Sequence, residues 1–420
     1  MFKISRSVTL LLSILLLVLL AACQTPTVQP PTPTLPPVVT LPVVAPPVVT
    51  PPITVPVEPK TASFKAINYD AVPGWAEDNL TQAWPAFKAS CSVLINKPDW
   101  REPCTIAQSV DENSSAAIRQ FFEAFFDPYQ VINPDGTDTG LITGYYEPLL
   151  HGSRHRGGIY QTAIYQTPPN LLTIDMTSLY PELKGMRLRG RVVGNKVLPY
   201  PSRGELMQSG ELAGNEICWV SDSVDAFFLQ VQGSGRVVLA DSKDVIRVAY
   251  ADQNGHPYKS IGRYLVDIGE MTLDQASAQS IKSWIASHPA RANEVFNADP
   301  SFVFFKEEKL ADPKVGPDGA LGVPLVGERS IAIDAKFLPL GAPVFINTTQ
   351  PNSDIPLKRL MMAQDTGGAI RGAVRADFFW GFGAKATEMA GRMKQRGMLW
   401  LLWPKLASTP PGVVIKRDQN

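Results

Sequence analysis

Histidine and cysteine are both scarce in this chain, with four of each in 420 residues. There is no CxxC pair and no histidine cluster, which speaks against a structural zinc site. Net charge is missing as well. The 39 basic residues balance 39 acidic ones, so nothing electrostatic favours nucleic acid or an anionic membrane surface as a partner. No internal repeat is visible. The apolar run near the N-terminus, Val8 to Leu20, is too short to span a membrane comfortably as a helix. What remains is a chain that is 45% hydrophobic and 19% charged, long enough for one large or two ordinary domains.

The short apolar run has the layout of an export signal. Lys3 and Arg6 precede it, and small residues follow it in Leu20-Ala21-Ala22-Cys23. The ending resembles the bacterial lipoprotein box, in which the cysteine is lipidated and becomes the first mature residue. An ordinary signal with an incidental Cys23 is the alternative. Gln24 is not aspartate, which in enterobacteria-like sorting implies the outer membrane, with the protein facing the periplasm. Residues 1–22 are thus expected to be removed. Residues 23–60 form a lipidated, proline-rich linker: Thr25 to Pro59 holds 13 of the 38 prolines and no helical or strand period. As polyproline II, at about 3.1 Å per residue, it reaches on the order of 100 Å. The periplasm permits disulfides. Cys91 and Cys104 enclose a short loop, where a bridge would add about 3 kcal/mol. Cys218 lies in the apolar run Ile217 to Val220 and reads as a buried free thiol.

The globular part begins near Phe64. Trp75, Leu80, Trp84 and Phe87 are spaced as on a helix, as are Ile118, Phe121, Phe122 and Phe125, with Ser114 or Ser115 as a cap for the second. These aromatics read as core. Gly140 to Glu147 reads as a strand that places Thr143, Tyr145 and Glu147 on one face. From about 149 to 299 strand-like runs alternate with turns: Ile159–Tyr165, Ala226–Ser234, Arg236–Leu239 and Val245–Ala249. Ser202 to Leu206 opens a turn. Two glutamines, Gln230 and Gln232, interrupt the second run and need partners if buried. Helices are expected at Ile261–Ile268 and at Leu273–Ala286, the latter capped by Thr272. Beyond Pro300 the chain is strand-rich again, including Ser330–Ile333, Arg359–Ala363 and Met398–Trp403.

The chemistry concentrates between Leu360 and Gly391. Asp365 ends an apolar run and is followed by Thr366-Gly367-Gly368, and Asp377 precedes Phe378-Phe379-Trp380. Glycine lets a backbone turn sharply or approach a ligand. Asp334 ends another strand upstream. These three strand-associated carboxylates could form a metal site, a structural set, or one catalytic acid with supporters.

Taken together these motifs resemble a known family. Ile333-Asp334, Leu338-Pro339-Leu340-Gly341, Asp365-Thr366-Gly367-Gly368-Ala369-Ile370, Gly372, Asp377 and Ala390-Gly391 resemble the three-aspartate domain. Thr143 to Pro148 and Gln230 to Gly235 resemble the rest of the membrane-bound lytic murein transglycosylase A family. The match runs from about 64 to 406. The resemblance implies a mainly β fold with a few α-helices: a double-psi β-barrel domain built from both chain ends (61–148 and 300–410) and a second β domain (149–299) inserted. It implies non-hydrolytic cleavage of the β-1,4 bond between N-acetylmuramic acid and N-acetylglucosamine, leaving 1,6-anhydromuramic acid ends. By position, Asp377 matches the catalytic aspartate, Asp365 its neighbour and Asp334 a supporter. Thr143, Tyr145, Tyr146, Gln232, Ser234, Gly367 and Gly368 are expected to contact substrate. Arg371 replaces the usual lysine, and the segment between Asp365 and Asp377 is slightly long.

The expected partners are peptidoglycan glycan strands, the lipid anchor in the outer membrane, and cell-wall synthesis or division proteins. No cofactor, metal or nucleic acid is expected, and the chain is expected to be a monomer. The alternatives are a peptidoglycan-binding lipoprotein without turnover and an all-oxygen metal hydrolase.

Overall fold

The computed structural model describes residues 62–183, 186–310 and 312–410. The export signal, Cys23 and the proline-rich linker lie outside the described residues. Among the described residues, no helix is long and apolar enough to cross a membrane.

The chain starts one sheet, leaves to build a second, and returns to finish the first. The opening strands are β1 (Ser63–Ala66), β2 (Phe126–Ile132) and β3 (Gly140–Glu147). The excursion holds β4 (Leu149–Ser153), β5 (Thr162–Tyr165), β6 (Leu172–Thr173), β7 (Arg189–Val193) and β8 (Lys196–Pro199). It continues with β9 (Glu216–Val220), β10 (Ser234–Leu239), β11 (Val245–Gln253) and β12 (Val303–Lys309). The return supplies β13 (Ser330–Ile333), β14 (Pro343–Thr349), β15 (Pro356–Asp365), β16 (Ala376–Phe382) and β17 (Lys394–Pro404). The first sheet runs β1-β2-β17-β14-β15-β13-β16-β3, and β17 also pairs with β3. That extra pairing, Lys394 with Thr143 through Gly397 with Gly140, closes six strands into a barrel. Closure removes the sheet edges that would otherwise expose unpaired backbone. The excursion forms a six-stranded sheet, β12-β11-β10-β4-β9-β5, and a three-stranded one, β6-β7-β8.

Helices α1 (Trp84–Leu94), α2 (Pro98–Ile106) and α3 (Ser115–Phe125) cover the barrel. Ser114 caps α3 by accepting from the Ala117 N–H at 3.2 Å. Trp84, Phe87, Phe121, Phe122 and Phe126 are buried against one another, with Phe87 and Phe122 centroids 4.9 Å apart. The helical aromatics are core, as their spacing predicts. Trp75 precedes the helix in an irregular stretch and packs edge-on to Phe122 and Phe345. Cys91 and Cys104 form a disulfide that ties α1 to α2, and Cys218 is a buried free thiol.

The excursion is more helical than its sequence suggests. Of the expected strand Ala226–Ser234, Ala226–Gln232 instead form the body of a helix, and only Ser234 is in a strand, opening β10. After α4 (Arg203–Ser209), helix α5 spans Ser223–Gln232. Asp222 caps it by accepting from the Val224 and Asp225 N–H groups, and Gly233 ends it at φ 84°. The α4 segment, read as a turn, has a capping box: the Glu205 carboxylate accepts from the Ser202 N–H at 2.7 Å. Helix α6 (Ile261–Asp267) falls where expected. Helix α7 starts later than expected, at Ala278, and runs to Ser287. Ser277 rather than Thr272 caps it, accepting from the Ser280 N–H at 3.1 Å.

Candidate active site

One cross-strand row organises the site. Ala332 on β13 pairs with Asp377 on β16, and Asp377 pairs with Thr143 on β3. On the other flank Ala332 pairs with Asp365 of β15. Regular continuation from Ser330–Met362 and Ile331–Ala363 would set Gln364 opposite Ala332. A bulge skips Gln364 and brings Asp365 into the row. The displaced Gln364 is fully buried and tied to α1: its amide donates to Ala86 O at 2.8 Å and to Ser90 Oγ at 3.1 Å. Packing of α1 therefore fixes where Asp365 points. Two strand spacings separate the carboxylates, roughly 9–10 Å between backbones, and the small Ala332 side chain lies between.

Each carboxylate has its own partners. Asp377 Oδ1 accepts from Thr143 Oγ1 at 2.6 Å. Asp365 Oδ2 accepts from the Tyr145 hydroxyl at 3.0 Å, and its Oδ1 from the N–H groups of Ala320 and Thr366 at 3.0 and 2.9 Å. Burial raises the Asp377 carboxyl above the ordinary carboxylate range, and the Thr143 hydroxyl and Arg375 cation oppose this without cancelling it. Burial raises Asp365 too, against its hydrogen bonds, with the nearby Asp377 charge adding to the rise. Burial and these two carboxylates push the Tyr145 phenol well up, so it stays a hydrogen-bond donor. Of the three aromatics after Asp377, only Phe379 shares this face, its ring 5.0 Å from Tyr145. Phe378 and Trp380 point into the large core.

Asp334 is 5% exposed, and backbone amides occupy both its oxygens: Lys336 N on Oδ1 at 3.2 Å and Gly372 N on Oδ2 at 3.0 Å. It thereby pins the loop between Asp365 and Asp377. Gly372 has φ 119°, a backbone shape that side chains disfavour. Arg371 donates back to Gly367 O at 3.0 Å and Ile370 O at 2.8 Å. Gly367 has no room for a Cβ, which would meet Ile370 Cγ1 at 2.8 Å. Gly368 is exposed and opens toward Tyr258 of the excursion.

The other expected substrate contacts lie elsewhere. Gln232 ends α5 and accepts from the Tyr146 N–H at 3.0 Å. Ser234 is buried at the start of β10. Gln230 accepts from Arg203 Nη2 and the Val303 N–H at 3.0 and 3.1 Å. Gln232 thus ties the excursion to β3, and Gln230 ties α5 to α4 and β12 within the excursion, whereas Thr143, Tyr145, Asp365 and Asp377 meet in the row. Glu147 is also structural. Its carboxylate is buried between Arg236 Nε at 2.8 Å and Arg247 Nε at 2.6 Å, linking β3 to β10 and β11. Sequence reasoning passed over Ala320 and Arg375. Arg375 could have been found from strand alternation, since it stands two residues before Asp377.

A cavity of about 430 Å³, lined in part by Gln82, Glu328, Arg359, Trp380 and Phe382, lies toward the far end of β16. Neither Asp365 nor Asp377 lines it. Asp365 and Asp377 are both half-buried.

The barrel row brings together two carboxyls raised by burial, an arrangement fit for acid–base chemistry, and comparison with known proteins gives the family. Residues 141–306 match the "MltA specific insert domain" and residues 329–403 the "3D domain". The Escherichia coli K12 membrane-bound lytic murein transglycosylase A is 35% identical over 303 residues, covering 70% of this chain and 72% of that protein. The crystal structure of MltA from Neisseria gonorrhoeae aligns with a TM-score of 0.71 at 36% identity, covering 83% of this chain and 94% of that one. E. coli MltA with bound chitohexaose aligns with a TM-score of 0.61 at 28% identity, covering 81% and 94%. The chain belongs to the membrane-bound lytic murein transglycosylase A family.

Proposed function

We propose that this protein is a peptidoglycan lytic transglycosylase that cuts the β-1,4 bond between N-acetylmuramic acid and N-acetylglucosamine without water, with Asp377 as acid and then base. The observation that carries the reading is Asp377 itself: its carboxyl is half-buried and raised by that burial, and its Oδ1 accepts from the Thr143 hydroxyl. In the first step the Asp377 proton passes to the glycosidic oxygen as the C1–O bond breaks. In the second the Asp377 carboxylate takes the proton of the muramoyl C6 hydroxyl as its oxygen bonds to C1. The product is a 1,6-anhydromuramoyl end. Ordinary glycosidases employ a second carboxylate for water or for a covalent intermediate; here the sugar supplies its own nucleophile. Asp365, held by Tyr145 and two amides, acts as a supporter, and Asp334 fixes the loop. The glycan lies along the row, with Gly367 and Gly368 giving it close approach to backbone. The bound chitohexaose of the E. coli relative supports a β-1,4-linked glycan as the ligand class.

The six-stranded closure is read as a double-psi barrel formed by 61–148 and 300–410, with 149–299 as the inserted domain. Cys23 carries the lipid anchor, which places the enzyme on the outer membrane facing the periplasm for cell-wall turnover. The test is digestion of murein sacculi followed by mass analysis. Anhydromuramoyl products are expected from the parent protein and none from Asp377→Asn, which should still bind sacculi. Intact sacculi, or reducing ends only, would leave a non-catalytic binder or a hydrolase instead.

A further inference from the structure

Arg375 lies outside every motif quoted above, yet it reaches the candidate acid through one intermediary. Its Nη2 donates to Thr143 Oγ1 at 2.9 Å, and Thr143 Oγ1 donates to Asp377 Oδ1 at 2.6 Å. Its Nη1 donates to Ala376 O at 2.5 Å and Leu141 O at 3.3 Å, which anchors the guanidinium across β16 and β3. A guanidinium can only donate, and a hydroxyl has one proton with two lone pairs. With Arg375 on one lone pair, the single Thr143 proton is free to point at Asp377. The direction of the chain is set: Arg375 to Thr143 to Asp377 Oδ1.

We propose that Arg375 is a positioning residue which, acting through Thr143, reserves Oδ1 of Asp377 as an acceptor and assigns the transferable proton to Oδ2. A proton on Oδ1 would face a Thr143 oxygen that already accepts from Arg375, and would leave the Thr143 hydrogen without an acceptor. The oxygen that gives up its proton to the glycosidic oxygen and later receives the C6 hydroxyl proton is therefore Oδ2 in both steps. The same cation stabilises the carboxylate that exists between the two transfers. Other groups face Asp377 too. Asp365, across Ala332, opposes the cation; Tyr145 on β3 is a neutral donor; Lys394 of β17 stands beyond Thr143 in the row. Arg375 is thus the cation that acts on Asp377 through its own hydrogen-bond partner. The inference rests on the proposed acid–base role of Asp377.

The experiment is the pH dependence of kcat/KM on purified glycan strands for Arg375→Met, Arg375→Gln, Arg375→Lys and Thr143→Val, each with its thermal midpoint. Asp377 must start protonated, so its titration in the free enzyme sets the alkaline limb. Loss of the cation raises that titration. The limb of Arg375→Met and Arg375→Gln should move up by about one pH unit, with a plateau about tenfold lower. Arg375→Lys should keep the limb within about 0.3 unit while losing plateau rate, because the ammonium retains charge but lacks the fork. Thr143→Val should lower the plateau, and Thr143→Ser should restore it. A limb unmoved in both neutral Arg375 variants overturns the proposal, as does a limb shift of equal size in Arg375→Lys. Substantial turnover by Asp377→Asn would instead overturn the acid–base reading on which it rests, so the two failures are distinct.

Discussion

Replacing Glu147 with Gln isolates the buried junction between barrel and excursion. Glu147 is 1% exposed and holds two arginines that are 6% exposed each, Arg236 and Arg247. Glutamine keeps the volume but removes the charge, and it turns one acceptor oxygen into a donor facing a guanidinium. Arg236 retains Pro313 O at 2.7 Å and Arg247 retains Val315 O at 2.5 Å, so the cations cannot swing out to water. Breaking a buried ion pair from one side costs about 3–5 kcal/mol. With a urea slope of about 3 kcal/mol/M, the unfolding midpoint should fall by about 1 to 1.7 M. Circular dichroism in urea at neutral pH reads this directly. The paired replacement of Glu147 by Leu with both arginines by Met should recover part of the loss, since an apolar substitute strands no charge. A midpoint drop under about 0.3 M for Glu147→Gln would refute the assignment of this cluster as the joint between the lobes.

Other perturbations follow from the same geometry. Replacing Cys91 and Cys104 with Ser, or adding reductant, should cost about 3 kcal/mol by freeing the loop in the unfolded chain; an unchanged thermal midpoint would contradict this. Asp365 has a folded-state titration raised by burial. Its contribution is therefore favourable below the unfolded value of about 3.9 and is lost as pH rises through the folded value. Asp365→Asn should accordingly be more stable than the parent at pH 7, with the gap closing toward pH 4; a variant less stable at pH 7 would reverse the sign. Gly144→Ala would bring a Cβ to 2.8 Å from Trp380 Nε1 and 3.0 Å from the Ala390 Cα. Overpacking of that kind costs about 1–3 kcal/mol, so its denaturant midpoint should drop, and a neutral result would show that the helix after β16 can yield.

How much of this was legible beforehand varies with the range of the interaction concerned. The strand ends bearing Asp365 and Asp377 and the glycine loop between them could be read from local pattern alone. So could the aromatic faces of α1 and α3, because a helix announces its buried side within a few residues. The α5 helix was misread because Ala226 to Val231 is almost continuously apolar, which suits a buried strand or a buried helix equally; Asp222 and Gly233, as caps, were the available signal. In α4 the Ser202–Glu205 capping box was present and overlooked. The bulge at Gln364 left no local trace, since what draws that side chain away is Ala86 and Ser90 on α1. Glu147 shares a face with Thr143 and Tyr145 in the strand pattern, and its buried pairing with Arg236 and Arg247, about a hundred residues on, could not be read there. Thr143 and Tyr145 could be nominated by face, but their partners, 234 and 220 residues away, could not be.

The closure of the barrel has a consequence for the order of assembly. Thr143 is synthesised early and Asp377 late, and the strand that seals β3, Lys394–Pro404, comes later still. Until it docks, β3 is held through β16 alone and the barrel stays open. A chain still emerging, or cut short before residue 394, therefore carries all three aspartates without the closed barrel around them. The frame that carries the row is thus the last thing the chain completes, although every residue of the row has been made before it.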